Sequence, residues 1–292
     1  AMHSDANRHR YYVSFGGFYS HIGALGGLGL GLLVDRIEHR SSGLQLSGLW
    51  IDGATHRGVL IAGLGTSAKG DLYGTEVSGA TTLRSGNVDG VQLTGVLAYS
   101  SSDVRGAQVA GATSIARGNL SGFQLSTGFN YLGSDVVGAQ ITGGLNVARD
   151  VRGLQLGVVN VGRDVDGLQL GVVNVARQNR GLSLGLFNWS DGARLQPTYF
   201  YQTPGYHNVG YRNLSGHATS SISFGYDEPK QYARTHFAVG VHTTFNRVAM
   251  GVETGYGWVL EHLRSGPTDR AHELDLIGTV TVEIIPKLVS LY

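Results

Sequence analysis

The chain has 292 residues, 41% apolar and 15% charged, with a formal net charge of +1, so it can bury a core and exerts no bulk electrostatic pull on nucleic acid. It contains no cysteine, which excludes disulfides, thiolate metal sites and cysteine nucleophiles. Glycine supplies 46 residues and proline 5; the glycine share is well above the usual ~7%, and with so little proline the glycines are placed rather than part of a disordered linker.

Ala1 ahead of Met2 reads as a cloning remnant, so any signal segment is already gone. Residues 11–21, YYVSFGGFYSH, read as one strand, and residues 1–26 as an N-terminal strand or cap. The next apolar run, IGALGGLGLGLLV at 22–34, is too short and too glycine-rich for the ~20-residue span of a membrane helix. Its glycines precede Asp35 without the G-x-G-x-x-G spacing or a βαβ context, so no dinucleotide loop is read there.

From 27 to 192 the chain repeats itself. Units that open on glycine, then an apolar residue, usually glutamine, then an aliphatic, start at Gly43, Gly58, Gly74, Gly90, Gly106, Gly122, Gly138, Gly153, Gly167 and Gly181, with Gly27 a plausible earlier start. The third position holds Gln45, Gln92, Gln108, Gln124, Gln140, Gln155 and Gln169, and the fourth is aliphatic from Leu46 to Leu184. Alternation of this kind predicts a half-buried strand, with the two aliphatics inward and glutamine outward. A second short strand comes next, carrying Asn130, Asn146, Asn160, Asn174 or Asn188, then a polar corner and one apolar residue such as Val104 or Val136.

Units of 14–16 residues cannot make two membrane-spanning strands of ~9–11 residues each. They fit one coil of a β-solenoid, stacked at ~4.8 Å per coil. Recurrent glycine opposes a helix. About ten coils are expected, with the glutamines as an outer ladder and the asparagines as a second one, bonded along the stack.

The stretch GLQLGVVNVGRDVDGLQLGVVNVARQNRGLSLGLFNW, at 153–189, resembles the glycine-rich surface repeat, roughly GLQLGLVNVA plus a polar turn, of exported proteins of Gram-negative bacteria. The likeness is strongest from Gly138 to Trp189 and stays in phase back to Gly43; LFNWSDGARLQPTYFYQTPGYHNVGYRN also resembles the polar turn and strands that succeed the repeats in that family. The resemblance implies a place in the cell envelope and supplies no catalytic residues. Thr75, Glu76 and Ser114 depart from the pattern, where Leu, Gln and Asn are wanted, so the early coils are expected to stack less uniformly.

From 193 onward the repeat stops and longer alternating runs appear: TYFYQ, HNVGYRN, ATSSISFGY, THFAVGVHTTF, RVAMGVETGYGWVLEHL and HELDLIGTVTVEII. Turn signals separate them at 204–205, 213–216, 227–230, 246–247 and 265–269. Residues 193–292 therefore form a C-terminal antiparallel sheet or small barrel that covers the open end of the solenoid. The same strand lengths, and the terminal Tyr292, suit an outer-membrane barrel as the alternative.

Chemistry is sparse. Six apart on a strand, His236 and His242 stand ~20 Å from each other and cannot share an ion. His207 and His217 flank a turn without a carboxylate motif. Glu273 and Asp275 alternate on one face near 7 Å apart, a separation glycosidases use, yet read as a solvated strand edge. No G-x-S-x-G elbow occurs.

No catalytic group, metal site or cofactor is named. The candidate binding surface is Tyr199, Tyr201, Tyr206 and Tyr211, just past the last coil, where tyrosine rings offer apolar area and a hydroxyl. The expectation is an all-β, non-enzymatic structural or interaction protein of the bacterial envelope, with an outer-membrane barrel of porin-like or anchoring type as the alternative. Its partner would be a protein, glycan or lipid, or a second copy of itself, and not nucleic acid.

Overall fold

A computed structural model describes residues 10–202, 206–227, 232–245, 248–260 and 270–282. The protein is all-β: about eleven coils of parallel β-solenoid are succeeded by a six-stranded antiparallel sheet, and no helix occurs among the described residues. Two compact units divide the chain, Ala1–Gly157 and Val158–Tyr292; the division falls inside the repeat, where the glycine spacing shortens to 14.

Within the first unit the coils stack in parallel with equivalent residues aligned, except in the earliest, where the register shifts between Tyr11 and Val13 and between Ile22 and Ala24, so the early coils are the less uniform ones. Gly74, Gly90, Gly106, Gly122, Gly138 and Gly153 form one column, and Glu76, Gln92, Gln108, Gln124, Gln140 and Gln155 another. Thr75 and Glu76 hold this register without a slip. Residues 11–21 are not one strand: Arg10–Gly16 and Tyr19–Gly31 are separated by a bend at 17–18, and each pairs in parallel with the strand after it. The flank is thus itself coiled.

The polarity of the coil is the reverse of the expected one. Every glutamine of the third position is inside, with Gln45, Gln92, Gln108, Gln124, Gln140, Gln155 and Gln169 all at 0% exposure. The second and fourth positions face outward, so Leu44, Ile61, Leu93, Phe123, Leu125 and Leu156 show apolar surface. Ala107 is buried. The physical reason is that the stack supplies what solvent otherwise would. The Nε2 of Gln108 donates to Oε1 of Gln92 at 2.8 Å, Gln124 to Gln108 at 2.8 Å, Gln140 to Gln124 at 2.8 Å and Gln155 to Gln140 at 2.9 Å. A buried amide is costly only when unbonded.

Around that column the dry core is thin, made by the residue just after the polar corner: Val88, Val104, Leu120, Val136 and Val151, with Ala98, Ala116 and Leu132 opposite.

The asparagines are inside as well. Asn130 Nδ2 donates to Asn146 Oδ1 at 3.0 Å and to the Ile141 carbonyl at 2.8 Å, so one amide bonds along the stack and also caps a strand of the next coil. Asn146 caps the Leu156 carbonyl in the same way. Ser114, in the preceding coil, reaches the equivalent Leu125 carbonyl at 3.4 Å, which explains how serine holds the place of asparagine. Val158–Tyr292 has a row of its own, from Asn160 to Asn174 and from Asn174 to Asn188, each at 2.8 Å. There Gln169 accepts from Ser183 Oγ at 2.9 Å.

Gln45 is not part of the ladder. Its neighbours in the column are Gly29 and Leu60, neither of which offers a hydrogen-bonding side chain, and both its amide atoms are buried without a partner among the described residues. The ladder instead begins at Glu76, whose Oε2 accepts from Gln92 Nε2 at 2.9 Å. Arg84, wholly buried beside it, donates Nη2 to Glu76 Oε1 at 3.0 Å and Nη1 to the Gly70 carbonyl at 2.8 Å.

His56 lies in the same interior, 2.6 Å from Ser41 Oγ through Nδ1. Burial, and then the positive charge of Arg84, push its pKa down to about 4 from an ordinary 6.5. A lowered folded-state value means that the unfolded chain takes up the proton first. The stability this neutral histidine contributes is complete above pH 6.5 and drains away as the pH falls toward 4, by up to about 3 kcal/mol. Urea midpoints measured between pH 7 and 4 are expected to fall, and His56→Phe to flatten that profile; an unchanged profile in the variant sinks the assignment.

On the polar edge of the coils a third row runs through Asp71, Asn87, Asp103, Asn119 and Asp135. The first four side chains each accept the backbone N–H of the next, at 2.8 Å for Asn87 on Asp71 and 2.7 Å for Asn119 on Asp103, and Asp135 accepts from Arg149 Nε at 3.0 Å. The two asparagines accept in turn from Asp103 and Asp135, each at 3.3 Å.

The six strands after the repeat run Arg194–Gln202, Tyr206–Ser215, Ala218–Asp227, Tyr232–Phe245, Val248–Leu260 and Arg270–Val282, each paired antiparallel with the next. First and last are not paired with each other among the described residues. The turn expected at 213–216 sits two residues later, at 216–217, because Asn213 to Ser215 stay in the ladder with Ser220, Thr219 and Ala218. The turns expected at 204–205, 246–247 and 265–269, and most of 227–230, lie outside the described residues.

Candidate functional site

In the antiparallel sheet, period-two alternation sends Val209, Phe224, Tyr226, Val241, Val252, Tyr256 and Trp258 to one face, all exposed. The opposite face is buried and polar: Asn208, Ser223, Arg234, His236 and Glu253. Glu253 Oε1 lies 3.0 Å from Arg212 Nε and accepts from Thr219 at 3.2 Å, while its Oε2 accepts from Ser221 at 3.2 Å. His236 and His242 share this polar face, as their spacing required, with His236 buried. Glu273 and Asp275 pair in the backbone with Gly257 and Gly255; their side chains lie outside the described residues.

The tyrosines divide. Tyr199 and Tyr201 stand exposed opposite Val209 and His207, and His207 gathers both: its Nδ1 is 2.8 Å from the Tyr199 hydroxyl and its ring is 5.2 Å from that of Tyr201. Tyr206 opens the second strand, and its side chain lies outside the described residues. Tyr211 has another role.

Tyr211 lines a cavity of about 400 Å³ where the sheet meets the last coil. That coil differs from the two before it: Phe187 and Trp189 stand in register with Val173 and Val175, so aromatics replace valines on the outward row. The chain then turns at Ser190 to Ala193, with Gly192 at φ +83°, and returns as the strand that carries Leu195. Phe187 and Tyr211 stack with ring centres 6.0 Å apart. Below them the join is polar and bonded: Ser220 donates to the Leu186 carbonyl at 3.0 Å and Ser190 meets Ser215 at 2.7 Å.

The cavity is walled by Val173, Val175, Phe187, Trp189, Leu195 and Tyr211, and by Asn213, two residues along the strand from Tyr211 and opposite Leu195. Two polar atoms of these residues have no hydrogen-bond partner among the described residues: the Tyr211 hydroxyl and Oδ1 of Asn213, a side chain only 7% exposed. Sequence reasoning placed Tyr211 near the site but missed Phe187, Trp189, Leu195 and Asn213. A signal for two of them existed, since FNW breaks the VNV pattern of the preceding units. Asn213 was hidden inside an expected turn.

Among the described residues no group of three or more His, Asp or Glu could hold a metal ion. No helix there is long and apolar enough to cross a membrane, which says nothing of strands. No family model, curated protein or solved structure matches the chain, so a functional reading rests on its own geometry.

Proposed function

We propose that this is a non-enzymatic protein of a bacterial envelope, a repetitive β scaffold whose C-terminal sheet is the part that meets the outer membrane. One observation carries the reading: the sheet is polar on its buried face and apolar on its exposed one, with Val209 and Phe224 each 61% exposed opposite a buried row of Arg234, His236 and Glu253. Outer-membrane strands alternate apolar outward and polar inward in this way, whereas a half-solvated sheet of a soluble protein alternates the other way round. Strands of 9 to 14 residues reach across the hydrocarbon layer, which needs ~9–11. The likeness of 138–189 to an exported surface repeat supports the envelope placement. A scaffold role is supported by the solenoid interior, where the groups an enzyme would use are spent on bonding one coil to the next.

Fractionation tests this. The full chain, expressed with an export signal in a Gram-negative host, is expected in the outer membrane, released by detergent and not by alkaline carbonate. Val209→Asp with Phe224→Asp is expected to move it to the soluble fraction, since a charge on the lipid face costs about 2–4 kcal/mol near the bilayer centre for basic residues and less for acids. A parent protein that stays monodisperse in buffer without detergent overturns the membrane reading.

A further inference from the structure

We infer that the cavity at the end of the solenoid is a binding site for a small, mostly apolar molecule that carries a hydroxyl or amide N–H donor. Its size, about 400 Å³, is within the range of pockets that enclose small ligands, which are lined mainly by apolar and aromatic side chains with a few placed polar groups. Phe187, Trp189 and Tyr211 supply ring surface, Val175 and Leu195 the aliphatic remainder.

The polar complement decides the chemistry. Asn213 Oδ1 can only accept, and among the described residues nothing donates to it; the Tyr211 hydroxyl is likewise unpaired among them. Leaving such atoms unbonded in a buried wall is unfavourable, and a ligand donor removes the penalty. The neighbouring Asn188 is not available for this, because its Nδ2 donates to the Gly185 carbonyl at 2.9 Å and its Oδ1 accepts from Asn174. A sugar, which brings many hydroxyls, would leave most of them unmatched against valine and leucine. A single donor on an apolar body satisfies the site.

The full chain held in amphipol is titrated with 2-naphthol and with 2-methoxynaphthalene, which has the same rings and no donor, and binding is read by saturation-transfer NMR. The naphthol is expected to bind about tenfold more tightly, the worth of one hydrogen bond to an otherwise unpaired acceptor. Asn213→Leu, close in volume, is expected to bring naphthol down to the level of the methoxy compound while leaving the latter unchanged, which also shows that the cavity has kept its shape. Tyr211→Phe is expected to weaken both probes, since the lost hydroxyl can donate to either oxygen. Equal affinity of the two probes for the parent, a preference that survives Asn213→Leu, or no binding of either probe overturns the inference. None of these results bears on membrane partitioning, so the two readings fail separately.

Discussion

Glu76→Gln is expected to cost about 3–5 kcal/mol, although it writes the repeat's own preferred residue into the third position. In the glutamine column the change is harmless, because an amide oxygen there still accepts from Gln92 Nε2. The damage falls on Arg84. Its guanidinium is wholly buried and its Nε and Nη2 both donate to the Glu76 carboxylate, so removing the anion leaves a cation with little but the Gly70 carbonyl. Removing one partner of a buried pair strands the other's charge, whereas replacing both is often neutral or stabilising. Glu76→Gln combined with Arg84→Met is therefore expected to recover most of the loss. Urea midpoints for the parent, the single and the double variant check this. A single variant as stable as the parent would mean that the pair is not buried as described.

Gly106→Ala is expected to destabilise the solenoid by about 3 kcal/mol or more, at the upper end of what one strained backbone position costs, with a steric overlap added. Gly106 has φ +126°, a conformation that side-chain-bearing residues rarely adopt, and a Cβ built there would overlap the carbonyl oxygen of Gly90 in the coil before. Backbone cannot give way as a flexible side chain can, so coils would have to separate locally. Gly53→Ala is the matched control: its φ is ordinary and a Cβ there meets nothing within 4 Å. Thermal melts of the two variants should differ by many degrees. If both are equally mild, the glycine column is not what brings the coils into contact.

The period, the coil and the six later strands were legible because each rests on spacing, and spacing survives in a one-dimensional string. Alternation, however, has no sign. Gln108 between Ala107 and Val109 looks solvent-seeking when a coil is considered alone; only the coils on either side provide the Gln92 and Gln124 amides that let it turn inward. The inward assignment of the aliphatics assumed that water is the only partner a glutamine has. Gln45 makes the same point in reverse, matching the motif yet orphaned because Leu60 is next in the column. For the pocket, Tyr211 was visible as one of a cluster of aromatics. Its enclosure depends on a turn at Gly192 and on cross-strand pairing with Pro197, neither of which local composition reveals.

The edge row of Asp71, Asn87, Asp103, Asn119 and Asp135 bears on how such a stack can lengthen. Both residue types accept a backbone N–H equally well, so hydrogen bonding alone would tolerate aspartate in every coil. A carboxylate per coil would put like charges ~4.8 Å apart along the whole edge, well inside the ~8 Å screening length of physiological salt. Between Asp71 and Asp135, where asparagine stands in alternate coils, the charges are ~9.6 Å apart, at about that length. From Asp71 to Asp103 to Asp135 the geometric period of this row is 16 residues and its electrical period is 32. After Asp135 the next coil brings Asp150, a second carboxylate in succession, and there Arg149, 3.0 Å from Asp135, supplies the countercharge. Such a stack can therefore lengthen by either of two devices, a neutral residue in every other coil or a cation beside each acid.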